Sequence, residues 1–129
     1  MEPSKPQEGA GQAGVLFIGN DLMFQSKISS ACRQSGMSLG VIRNPKDLGG
    51  ASISGAPRLI VVDLGLANLD LAEVLASGRQ IWPTTKWLGY GAHVQAERLD
   101  LATELGLDVV LTRGQFDRDM VRVLQGFAE

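Results

Sequence analysis

At 129 residues the chain has room for one domain and not for a second. Its 44% hydrophobic and 20% charged residues are the proportions of a globular protein rather than a disordered one, and no apolar run reaches the roughly 18 residues of a membrane span. A net charge of −2 provides no basic footprint for nucleic acid, and the single cysteine, Cys32, excludes an internal disulfide and a zinc cluster.

Residues 1–13, MEPSKPQEGAGQA, carry two prolines, two glycines and no large apolar residue after Met1, so they are expected to form a flexible tail ahead of a domain over 14–129. The start of the chain also lacks the apolar core of a signal peptide, which together with the lone cysteine points to a soluble protein of the reducing cytoplasm. Val15 to Ile18 reads as a buried strand closed by Gly19 and Asn20, with Asp21 placed to cap the first helix. In that helix Leu22, Phe24, Ile28, Ala31 and Cys32 recur at helical spacing until Gly36 ends it. Cys32 falls on the apolar side of that helix, and it is expected to pack as inert core. Met37 to Arg43 makes a second strand. Asn44-Pro45 then has the form of an N-cap and first helical residue, but Gly49, Gly50, Ser52, Ser54 and Gly55 predict only a short, frayed helix and a loop. Those glycines lack the G-x-x-x-x-G-K-[ST] pattern of a phosphate loop.

The stretch Arg58 to Asp70, RLIVVDLGLANLD, is the centre of the chain. Leu59 to Val62, bounded by Pro57 before and by Asp63 and Gly65 after, reads as a strand buried on both faces with one carboxylate at its end. Leu71, Val74 and Leu75 mark a third helix over Leu69 to Ser77, closed by Gly78, and Trp82-Pro83 opens a connection. Thr84 to Tyr90 is a fourth strand with Gly89 and Gly91 at its end. Val94 to Leu105 is a fourth helix with Val94, Leu99, Ala102 and Leu105 on its apolar side and Gly106 as its stop. Leu107 to Leu111 is a fifth strand, Thr112-Arg113-Gly114 a turn, and Phe116, Met120, Val123, Leu124 and Phe127 the apolar stripe of a last helix. Trp82 and Trp87 read as packing residues, since no basic run interleaves them.

Five strands alternating with five helices require parallel strands, right-handed crossovers and helices on both faces. The economical arrangement is an α/β, flavodoxin-like (βα)5 three-layer sandwich with sheet order 2-1-3-4-5. The carboxyl ends of strands one, three, four and five then converge, bringing together Gly19, Asn20 and Asp21, then Asp63, then Gly91 to His93, then Thr112 and Arg113. His93, with no second histidine or cysteine beside it, reads as structural rather than as a metal ligand.

Over nearly everything from Val15 onward, this pattern resembles the receiver domain of two-component response regulators. VLFIGNDLMF looks like the strand and turn that bear the receiver's acidic pair, LIVVDLGL like the strand delivering the phosphoacceptor aspartate, and GYGAHV with GLDVVLTRGQF like the fourth and fifth strands. The resemblance places Asp63 at the phosphoacceptor position. Gly19 and Asn20 stand at the acidic pair, Gly91 at the switch Ser or Thr, Arg113 at the lysine and Gly114 at the proline, while Val110 holds the aromatic switch position. One signature side chain of five survives, as in a degenerate pseudo-receiver.

Phosphoryl transfer to an aspartate needs Mg²⁺ held by carboxylates, and here three have become one, with Asn20 able to lend only a neutral oxygen and Asp21 adjacent. Two arrangements of the remnant are open: Asp63 and Arg113 as a metal-free ion pair, or Asp63 satisfying local amides with Arg113 turned to solvent. The expected function is a non-enzymatic, cofactor-free and phosphorylation-independent interaction module in signalling. The resemblance implies a protein partner, or a second copy in a homodimer, on the fourth helix, fifth strand and fifth helix. The alternatives are a small-ligand sensor or flavodoxin-like cofactor carrier, with Gly19, Gly91 and Gly114 leaving space, and a weak phosphoacceptor at Asp63.

Overall fold

The computed structural model describes residues 14–50 and 55–128. The expected tail, and Ser52 and Ser54 of the expected loop, lie outside them. The strands are β1 (Val15–Ile18), β2 (Leu39–Ile42), β3 (Leu59–Asp63), β4 (Lys86–Gly91) and β5 (Val109–Thr112). The helices are α1 (Leu22–Gln34), α2 (Leu71–Ile81), α3 (Ala96–Glu104) and α4 (Arg113–Gln125), with a 3₁₀ segment over Pro45–Gly50. All pairings are parallel and the sheet order is β2-β1-β3-β4-β5, the flavodoxin-like arrangement.

Every residue from Leu59 to Val62 is buried, because alternate side chains feed two different cores. Phe17, Val61 and Tyr90 meet Phe24, Ile28, Ala31 and Cys32 of α1 and Phe116, Met120 and Leu124 of α4. Ile18, Ile60, Val62 and Trp87 meet Leu71, Val74 and Leu75 of α2 and Ala102 of α3 on the other face. Gly36 and Gly106, with φ of 72° and 88°, turn the chain out of α1 and α3 in the left-handed conformation that glycine adopts without strain.

Several sequence expectations need correction. There are four α-helices among the described residues rather than five, since the segment after Asn44 winds as a 3₁₀ turn. There Asp47 N–H donates to Asn44 O three residues back (2.9 Å), and Lys46 N–H donates to Asn44 Oδ1 (3.0 Å). Gly78 does not end its helix. It lies buried within α2, where a Cβ would come within 2.6 Å of Trp87 Cη2, so it is the place where the indole crosses the helix. Leu22 is 65% exposed and Val94 78% exposed, so neither joins the apolar face assigned to it. Thr112-Arg113-Gly114 is not a turn: Thr112 ends β5 and caps α4, which starts at Arg113. Among the described residues no helix is long and apolar enough to cross a membrane.

Candidate functional site at the carboxyl edge of the sheet

β3 delivers Asp63 to the carboxyl edge between Gly19 and Tyr90. Register pairs Ile18 with Val62, and Asp63 with Tyr90. Asp63 is half-buried, and its Oδ1 accepts from the Gly65 N–H at 2.9 Å as the chain turns away. Burial raises its pKa above the ordinary aspartate value, and the Asp21 carboxylate adds to that; the Gly65 N–H and the charges of Arg113 and Arg98 oppose it. Arg98 itself donates to Leu64 O at 2.8 Å, holding α3 to the loop after β3.

Arg113 does not pair with Asp63. Its Nη2 donates to Asp21 Oδ2, while Asp21 Oδ1 accepts the Phe24 N–H at 3.1 Å, so one carboxylate both caps α1 and receives α4's first residue. Burial alone would raise the Asp21 pKa, but the Phe24 N–H and the hydrogen bond and charge of Arg113 outweigh it, and the net effect is a lowering. The same guanidinium lies over the Phe24 ring, 4.4 Å from its centroid. Of the two arrangements that the sequence left open, Asp63 therefore takes the local one, and Arg113 takes neither. The reason is the missing turn: with α4 beginning directly after β5, Arg113 is held beside the first turn of α1.

Below the ion pair, Phe24 stacks on Tyr90 with centroids 4.7 Å apart, and Tyr90 meets Phe116 at 5.5 Å. Tyr90 is fully buried, and its hydroxyl has no hydrogen-bond partner among the described residues. Burial, then the nearby Asp63 and Asp21 carboxylates, push its pKa up and keep the phenol protonated. The sequence reading missed this residue; its signal was an aromatic in the register position beside the strand-end aspartate.

Gly19 and Gly91 differ in what fills their missing side chains. A Cβ on Gly19 would meet Phe17 Cζ at 2.6 Å and Asp63 Cβ at 3.1 Å, so the Phe17 ring occupies that space. A Cβ on Gly91 would meet Leu64 Cβ at 3.4 Å and Leu99 Cδ2 at 3.6 Å, facing the α3 layer rather than Asp63. Nothing lies within 4 Å of a Cβ on Gly114. Asn20 and His93 are exposed, and Val110 packs half-buried against the α2 and α3 core. Among the described residues no group of three or more His, Cys, Asp or Glu is placed to hold a metal ion. The end of β2, left out of the converging set by the sequence reading, does reach the site: Arg43 and Asn44 line a cleft of about 520 Å³ with Asn20, Asp21, Asp63 and Asn68.

No protein-family model and no curated protein matches this sequence. Solved structures do. A two-component response regulator from Clostridium difficile superposes with a TM-score of 0.73 at 17% identity, over 90% of this chain and 95% of that one. The receiver domain of NtrX from Brucella abortus gives 0.73 at 16% identity, over 88% and 97%. An uncharacterised protein from Neptuniibacter caesariensis gives 0.76 at 14% identity, over 90% and 87%. The fold is that of receiver domains.

Proposed function

We propose that this chain is a pseudo-receiver: a receiver-like signalling module, without enzymatic activity, whose state is set by what binds it and not by phosphorylation of Asp63. The observation that carries the reading is the Arg113–Asp21 pair. A side chain beside the phosphoacceptor position is committed to capping and to an ion pair, and Asp63 is left with no second carboxylate free to share a Mg²⁺ ion. The vestigial set is Asp63, Gly19, Asn20, Asp21, Gly91 and Arg113. Two further features support it: the Phe17 ring fills the place of one acidic side chain, and Gly91 offers no hydroxyl.

A protein partner, or a second copy, is proposed on the face made by α3, β5 and α4. Its support is the edge of β5, which pairs with no further strand among the described residues and where Val109, Val110 and Leu111 are half-buried and uncharged, beside Leu101, which is 47% exposed. We place the protein in the cytoplasm, with residues 14–129 as the working domain.

Incubation with acetyl phosphate and millimolar Mg²⁺, read by intact mass and by amide NMR, tests the phosphorylation arm. The expected result is no phosphoryl adduct and no saturable Mg²⁺ shift at Asn20 or Asp63. An adduct lost in Asp63→Asn would overturn the reading and make Asp63 a working phosphoacceptor.

A further inference from the structure

The cleft at the ends of β1, β2 and β3 is lined by Arg43 and Asp63, which carry opposite charges and form no ion pair among the described residues. Phe17, Val41 and Val61 pack into one core cluster, and two residues further along these strands come Gly19, Arg43 and Asp63, on the same face. The ladder extends that far, since Gly19 N–H donates to Ile42 O at 3.0 Å. Arg43 and Asp63 thus stand two strands apart, about 10 Å between backbones, with a glycine between them. No ion pair within 4.0 Å joins them, and Arg43 makes no hydrogen bond or ion pair among the described residues. Asp63 uses Oδ1 on Gly65, which leaves Oδ2 for the cleft. Asp21 does not compete, being satisfied by Arg113. Asn44 Oδ1 is taken by the Lys46 N–H, which leaves the Asn44 amide nitrogen as a donor on the Arg43 wall.

A cleft with a cation and an amide donor on one wall and a carboxylate on the other matches a molecule that carries the opposite charges in the same order. We propose that this cleft binds a small zwitterion of the amino-acid type, its carboxylate on Arg43 and Asn44 and its ammonium on Asp63. The inference rests on the reading that Asp63 is not a phosphoacceptor, since a phosphoryl group on Asp63 would replace the carboxylate oxygen offered to the ammonium and would repel the ligand's carboxylate.

The test is an amide NMR titration of the full chain with 4-aminobutyrate and with 6-aminohexanoate, run beside butyrate and butylamine, which carry one charge each. At least one zwitterion is expected to give saturable shifts at Asn20, Arg43 and Gly65, with an affinity about tenfold or more above either single-charge probe. Arg43→Gln and Asp63→Asn, both with native spectra, should each lose that advantage. Absence of saturable shifts with both zwitterions, equal binding of butyrate, shifts confined to other surfaces, or full retention in both variants would each overturn the proposal. Acetyl phosphate treatment separates the two readings. An adduct at Asp63 removes phosphorylation independence whatever the titration gives, and a failed titration without an adduct removes the zwitterion site alone.

Discussion

Arg113, the first residue of α4, donates to the Asp21 carboxylate that caps α1, closing a contact between residues 92 apart in sequence. Electrostatics and packing agree at this point: Asp21 is only 16% exposed, and the guanidinium covers the Phe24 ring. Arg113 keeps 43% of its side-chain surface in water, so solvent screens part of the pair.

Separating cap from pair takes two substitutions. Asp21→Asn keeps an oxygen for the Phe24 N–H and should cost about 0.5–1 kcal/mol, whereas Asp21→Ala loses both and should cost about 1–2 kcal/mol, by urea unfolding. A cycle of Asp21→Asn with Arg113→Gln should return a coupling of about 0.5 kcal/mol, and the matching Asp63 and Arg113 cycle a smaller one. The reverse ranking would return Arg113 to Asp63.

Opposite pKa shifts at Asp21 and Asp63 predict opposite pH behaviour. The Asp21 carboxyl is lowered on folding, so its contribution is present above the ordinary value of 3.8 and is lost as pH falls through the folded value. The Asp63 carboxyl is raised, so its contribution is present below 3.8 and is lost as pH climbs through the folded value. At neutral pH, Asp63→Asn should therefore stabilise the protein by up to about 1 kcal/mol, and acidification should erase the gain. Urea midpoints of both Asn variants across the acid limb check the signs; a loss of stability in Asp63→Asn at neutral pH would contradict them.

Gly78→Ala should destabilise, although alanine is the better helix former by about 1 kcal/mol. The added methyl has to displace the Trp87 ring, buried on the facing strand, and a net loss of about 1–3 kcal/mol is expected. Unfolding midpoints, together with a changed tryptophan emission, report it. A stabilised variant would mean that the indole moves at little cost.

The two site glycines should respond unequally to serine. Gly91→Ser puts its Cβ at ordinary contact distance from Leu64 but turns a hydroxyl toward Leu64 and Leu99, and should cost about 0.5–1 kcal/mol. Gly19→Ser drives into the Phe17 ring and should cost about 1–3 kcal/mol. Thermal denaturation of the two variants side by side decides it.

Cys32 is buried, and desolvation pushes its thiol pKa up to about 11. Ellman's reagent should label it only on the timescale of unfolding, reaching one thiol per chain in denaturant. Fast labelling of the native protein would contradict its place in the core.

The architecture was legible because it comes from local pattern. Leu59 to Val62 is apolar at every position, as burial on both faces requires, and Gly36 and Gly106 stop their helices through their own φ. What the sequence hid depends on partners far along the chain. Gly78 carries the same helix-stop signal as Gly36, yet the indole of Trp87 is what demands it. A pair between Arg113 and Asp63 stays open in the sequence because Thr112-Arg113-Gly114 reads as a turn, and the earlier start of α4 carries the guanidinium to Asp21 instead. Arg43 went unnoticed because its role comes from the strands beside β2, not from its own neighbours.

At Thr112 the chain passes from β5 into α4 with no residue between. The Thr112 hydroxyl accepts the Gln115 N–H at 3.2 Å, and the Thr112 N–H donates to Gln115 Oε1 at 2.9 Å, so the corner is locked from both sides. A hinge needs a residue free to change its dihedrals, and this junction has none to spare. Strand and helix form a single stiff lever with Arg113 at its elbow. Losing the Asp21 pair therefore frees the Arg113 side chain to turn about its own bonds, while the lock at Thr112 keeps the start of α4 in place.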